Sequence, residues 1–147
     1  MINVAEITAA LQTQLQDHVL LRDFKVSVQR GEYLNVDASL TPWVGIYKGN
    51  VEFDPRTLGR GAQNWSAQVH LDIVVQAHGD GGAAAEDKLG DAVQRVISAM
   101  LEDLTFRGTV EMVKKYTVEF TYQRTDTSTL DFQTAIISVQ AELRAGA

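Results

Sequence analysis

Residues able to do chemistry fall into a few groups in this chain, and the first is the glycine-bearing stretch FDPRTLGRGAQNW, Phe53 to Trp65. A phosphate cradle of the G-x-x-x-x-G-K-[ST] kind needs a strand before it and a helix after it, so that backbone N–H groups and a helix N-terminus converge on the anion. Here Gly59 and Gly61 are followed by no Lys-Ser/Thr pair, and the residues beyond them alternate as a strand does. A dinucleotide fingerprint fails for the same reason. What remains is Arg56 and Arg60, whose guanidinium forks suit carboxylates on a neighbouring surface. Two solvated arginines on a loop are the plainer alternative.

The other groups offer less. His18 closes the first predicted helix, where its charge would complement the dipole. His70 and His78 share one strand parity but stand roughly 26 Å apart at strand rise, too far for one metal, and no further ligands occur at zinc spacing. The acidic pairs in AEDKLGD and LEDL fall on helix faces away from the apolar stripe, whereas general acid–base work needs carboxylates converging in a pocket. No serine sits in a G-x-S-x-G elbow. Trp43, Trp65, Tyr116, Phe120 and Tyr122 would need interleaved basic residues to stack single-stranded nucleic acid, and only KKY and Arg124 supply them. Core and interface packing explains these aromatics better. The residues predict no catalytic group, no cofactor site and no metal site, and a protein that is not an enzyme.

The elements that would position these residues are readable from periodicity. Asn3 can cap a first helix, with Glu6 three residues on and Ile2 able to staple onto Ile7. Val4, Ile7, Leu11 and Leu15 form its apolar stripe, with Gln12, Gln14, Gln16 and Asp17 off it, and the helix is expected to end near His18–Leu21. Short alternating runs follow: Phe24, Val26 and Val28, then Leu34 to Leu40 after the turn RGEY, then PWVGIY, with KGN as a tight turn into VEF. They predict a small antiparallel meander.

Trp65 to Ala77 alternates over more than ten residues, which implies one buried and one mostly wet face. After HGDGG, a second helix is set by Leu89, Val93, Val96, Ile97, Met100, Leu101 and Leu104; Gly90 beside that stripe is expected to allow close approach to a sheet. Val110, Met112, Tyr116, Val118, Phe120 and Tyr122 share one strand parity, interrupted by Lys114. Ala135 to Leu143 form the last strand. Strand, helix and strand in the centre suggest a βαβ crossover, and the final pair an antiparallel hairpin. The fold class is α+β: a mixed, mostly antiparallel sheet with two helices on one face, plus an extended β-hairpin or arm.

Composition agrees with a single domain over residues 1–147, with 45% hydrophobic and 22% charged residues and a formal net charge of −6. That charge argues against a general basic surface for nucleic acid. The absence of cysteine removes thiolate metal sites and disulfides from consideration and suits a reducing cytoplasm. The first residues lack the pattern of a signal peptide, and no apolar run approaches the ~20 residues that span a bilayer, so no membrane is expected.

Taken together, TPWVGIY, PRTLGRGAQNW, AQVHLDIVVQAHG, AEDKLGDAVQRVISAML and FQTAIISVQAEL, in that order after an N-terminal helix, resemble the tail terminator (minor tail completion) proteins of long-tailed bacteriophages. The resemblance covers nearly the whole chain but rests on no short invariant motif. It implies a homo-oligomeric ring, usually a hexamer, at the head-proximal end of the virion tail. Such a ring binds the tail tube protein, stops tube polymerisation and offers a surface to a head or neck connector protein, with DNA only as passing cargo. The protein would be made in the host bacterial cytoplasm. Another head–tail connector or neck protein, or a small ligand-binding domain using a cleft beside the arm, are the alternatives. The residues themselves nominate Arg56, Arg60, Trp65 and Trp43 as subunit or tube interface candidates, because loops above ordinary connection length are often binding elements.

Overall fold

The computed structural model describes residues 3–29, 41–55, 65–80, 82–123 and 130–145. Helix α1 runs Val4–Gln16, and its start is capped as expected: the Asn3 side-chain oxygen accepts from the Glu6 N–H at 3.2 Å. Ile7, Leu11 and Leu15 are buried, while Ile2 lies outside the described residues. The helix stops at Gln16, short of the expected end. A separate 3-10 turn takes Val19–Leu21, with His18 Nδ1 accepting from the Leu20 N–H at 3.1 Å.

The glutamines off the stripe hold α1 in place. Gln12 and Gln16 donate to the Val26 carbonyl at 3.3 and 3.0 Å. Gln14 Nε2 faces the carbonyls of Ala99, Asp103 and Met100 at 3.0, 3.2 and 3.4 Å. Ala99 and Met100 belong to the last turn of helix α2, Gly82–Leu101, where carbonyls run out of helical partners, and Asp103 lies just beyond it.

Five strands form one sheet: β1 Lys25–Val28, β2 Trp43–Pro55, β3 Trp65–Asp80, β4 Met112–Gln123 and β5 Leu130–Ala145, in the spatial order β1-β2-β3-β5-β4. Every pairing is antiparallel except β1 with β2, which is parallel from Lys25↔Trp43 to Val28↔Ile46. β1 thus lies directly beside β2 and parallel to it, which the antiparallel meander expected here does not allow. Residues 29–42 separate the two strands, which is the length of chain that a parallel crossover needs. The strand expected over Leu34–Leu40 and the turn RGEY lie outside the described residues.

The expected turn at KGN is also corrected. β2 is one strand, and its register to β3 shifts between Lys48 and Val51, so that Gly49 and Asn50 oppose His70 alone. A Cβ on Gly49 would stand 2.7 Å from the His70 carbonyl oxygen, so the bulge sits against the neighbouring backbone. The extra residue swaps the faces of the strand. Before it, Val44 and Ile46 oppose Val75 and Ile73 on the core side; after it, Val51 and Phe53 oppose Val69 and Ala67 on that same side.

β3 and β4 both run antiparallel to β5, which lies between them. They are thus parallel to one another, and α2 joins them as a crossover spanning one intervening strand. A second bulge falls at Lys114, the residue that interrupts the pattern: Val113 pairs Ala141 and Lys115 pairs Gln140. Val113 accordingly faces the core, and Met112 is 50% exposed rather than sharing the parity of Tyr116 and Val118.

The core lies between the sheet and both helices. Ile7, Leu11 and Leu15 of α1 and Leu89, Val93, Val96 and Met100 of α2 close over Val26, Ile46, Leu71, Ile73, Ile137 and Val139. Each such side chain contributes roughly 1.5–3 kcal/mol relative to exposure. The turn after α2 is fastened by Asp103, whose carboxylate accepts from the Thr105 hydroxyl at 2.5 Å and from the Thr105 and Arg107 N–H groups at 2.9 Å each. Those bonds, the Thr105 hydroxyl first, hold the Asp103 carboxyl below its usual value. Phe106, fully buried, then enters the core with a positive φ of 47°. Gly90 has no atom within 4 Å of where its Cβ would be. The expectation that it permits close helix–sheet approach is overturned: it faces open space on the exposed side of α2.

Candidate assembly surfaces

The sheet has two unfinished rims among the described residues. On one side β1 covers β2 only as far as Ile46, with the Gln29 N–H adding a bond to the Ile46 carbonyl at 2.9 Å. No described strand lies beside Tyr47–Pro55. On the other side β4 is the outer strand along its whole length. Such rims present unpaired backbone donors and acceptors, and Lys114 with its bulge is the kind of device that discourages indiscriminate pairing.

Both rims carry apolar side chains on the helix side of the sheet. Val51 and Phe53 stand 40% and 54% exposed on the outer half of β2, and Phe120 is 61% exposed on β4. Phe120 opposes Ala135, a core residue, so it shares the face of Val51 and Phe53. It forms the apolar part of an open groove of about 500 Å³, bordered by Glu86, Asp87, Gly90, Asp91 and Gln94 of α2. Asp91 pairs with Arg95 at 2.9 Å, while neither Glu86 nor Asp87 has an ion-pair partner among the described residues.

The opposite face of the sheet bears no described helix. Its apolar part is a small cluster of Trp43, Tyr47 and Val74 with Ile136 against it. The rest is polar: Glu142, almost fully buried, pairs with Lys114 and accepts from Gln68 Nε2 at 3.4 Å, Gln140 donates to Gln68 at 3.1 Å, and Ser138 donates to Asp72 at 3.1 Å. His70 approaches Glu52 at 3.8 Å. On the core side, burial pushes the Tyr116 hydroxyl up to about 12, and that oxygen has no hydrogen-bond partner among the described residues.

A second concavity, of about 310 Å³, is lined by Asp23, Phe24, Thr41, Pro42, His78, Lys88 and Arg95 among others. It sits where β3 ends, roughly 40 Å along that strand from Trp65. The cleft beside the arm, suggested for a small ligand, is thus not where this hollow lies. Its charges are partly engaged with one another: Arg95 bonds Asp91 and the Leu20 carbonyl, and His78 meets the Thr41 hydroxyl. Among the described residues, no three His, Asp or Glu side chains cluster as metal ligands would, and no helix is long and apolar enough to cross a membrane.

The nominated interface residues separate. Arg56 and Arg60 lie outside the described residues. Trp65 opens β3, paired with Pro55 on one side and Ala145 on the other. Trp43 is only 4% exposed and packs within its own subunit. What sequence reasoning missed is the pair of exposed apolar sites, Val51/Phe53 and Phe120. The alternation places Phe120 correctly on the core face, but only strand order reveals that β4 is outermost.

No family model matches the chain, and no curated protein matches it. Among solved structures, one chain from the "Virion of native gene transfer agent (GTA) particle" is similar in layout, with a TM-score of 0.41 and 14% identity over 92% of this chain and 93% of that one.

Proposed function

We propose that this chain is a structural protein of a phage-like virion, acting as a tail terminator. Copies would form a ring, a hexamer by the family resemblance, that caps the tail tube, stops its growth and joins the tail to a head or neck connector, with DNA passing through as cargo. The observation that carries this reading is the pair of unlike rims on one sheet, unfinished among the described residues. A contact between two different patches is heterologous, and when its rotation closes it makes a ring that leaves no rim unpaired. The extended β2–β3 hairpin and the sequence order described above support the same reading. On this reading the protein is not an enzyme.

Electron microscopy of the purified protein, alone and mixed with tail tubes, tests it. Closed rings seated at one tube end, with tubes of uniform length, are expected. Tubes that elongate equally with and without the protein would exclude the terminator role.

A further inference from the structure

The geometry points to one specific contact: the outer half of β2 of one copy, bearing Val51 and Phe53, docks in the groove between α2 and β4 of a second copy, against Phe120. The inference rests on the ring reading and deepens it by naming the surfaces. Four features carry it. The two apolar sites lie on opposite rims of the sheet, so one molecule cannot join them, whereas two molecules side by side can. They share the helix-side face, so placing the outer half of β2 beside β4, offset along the strands by six to eight residues, brings them together without turning either sheet over. The groove of about 500 Å³ is open above Gly90, where nothing stands within 4 Å, so it has room for side chains of that size. Its walls are acidic, with Glu86 and Asp87 unpaired among the described residues, while β2 carries the exposed Lys48 on the same face, three residues before Val51. Unlike charges around an apolar centre set orientation and register.

The contact is not self-complementary, because the groove does not resemble the hairpin. Each copy therefore has one donor surface and one acceptor surface. Two variants separate them: Val51→Glu/Phe53→Glu disables the donor, and Phe120→Glu disables the acceptor. All three positions are exposed, so circular dichroism should show both variants folded. By analytical ultracentrifugation, each variant alone is expected to be a monomer, and their equimolar mixture a dimer of twice the monomer mass, since one intact donor and one intact acceptor remain.

The absence of native cysteine permits an independent arm. Mixing a Phe53→Cys protein with a Phe120→Cys protein under oxidising conditions should give a mixed disulfide dimer, even if the wild-type protein associates only at high concentration. Variants that still form wild-type rings would overturn this contact while leaving the ring reading intact. A mixture that stays monomeric, with no mixed disulfide at high concentration or on tail tubes, would also overturn it. Loss of tube capping in the wild-type protein, with the mixed disulfide still forming, would instead remove the terminator reading and keep the contact.

Discussion

The indole of Trp43 lies directly over Gly45, two residues along the same strand: a Cβ at Gly45 would stand 2.3 Å from the ring atom Cη2. No L side chain fits there without displacing the ring. The strand alternation that puts Val44 and Ile46 into the main core puts Trp43, Gly45 and Tyr47 on the other face, and the glycine lets the indole lie flat along it.

Gly45→Ala should therefore destabilise the fold although it adds only a methyl group. A cost of about 1–3 kcal/mol is expected, as for overpacking elsewhere. It reads as a lower urea midpoint with an unchanged slope, together with a shift in Trp43 fluorescence. The double variant Gly45→Ala/Trp43→Leu should recover part of the loss. Additive losses would show that the two residues do not press on one another.

Tyr116 gives a prediction in pH. Its folded value, raised to about 12, exceeds the ordinary value of 10.0 because burial disfavours the phenolate. A group with a raised folded value contributes stability that is fully present below its unfolded value and is lost as pH climbs through the folded one. Stability should fall between about pH 10 and 12, and Tyr116→Phe should flatten that fall. Because the hydroxyl is buried without a partner among the described residues, the same substitution at neutral pH should cost nothing and should gain up to about 1 kcal/mol. Thermal melts at pH 7 and across pH 9–11.5 check both halves; a loss at pH 7 would mean the hydroxyl has a partner.

Gly90→Ala tests the outer side of α2. The position is helical and open, so alanine removes the glycine penalty of about 1 kcal/mol and meets nothing. A rise in Tm is expected. A fall would mean that the helix and sheet touch there after all.

Gly90 also shows where sequence ran out. A glycine next to an apolar stripe reads as a place of close approach, yet in α2 it falls on the solvent side, and only the helix's rotation decides that. The stripes themselves were legible: Ile7, Leu11 and Leu15, and Leu89, Val93, Val96 and Met100, are the residues that reach the core. The alternation of β3 was legible for the same reason, since a strand with one buried face must repeat every two residues. KGN was not, because a glycine followed by asparagine serves a tight turn and a bulge equally well. The choice between them is made across the sheet, by the backbone of His70. The parallel pairing of β1 was hidden too, as strand direction depends on the chain between Val28 and Trp43 and not on the alternation of either strand. At the assembly surfaces, face was readable and rim was not: Phe120 is exposed because β4 has one neighbour among the described strands, a property of strand order.

The bulge in the middle of β2 decides what the far end of the hairpin offers to its surroundings. Drawing Asn50 into the ladder opposite Val69 would restore an unbroken two-residue repeat, turning Glu52 toward the side now held by Val51 and Phe53 and sending both of those to the other. The subunit would keep its interior, which ends before that point on β2, while its exterior lettering would be inverted. In this architecture sociability is spelled by one unpaired peptide unit: losing Asn50 outright would leave Val51 opposite Val69 and its face unchanged, whereas pairing Asn50 would turn the joining surface away.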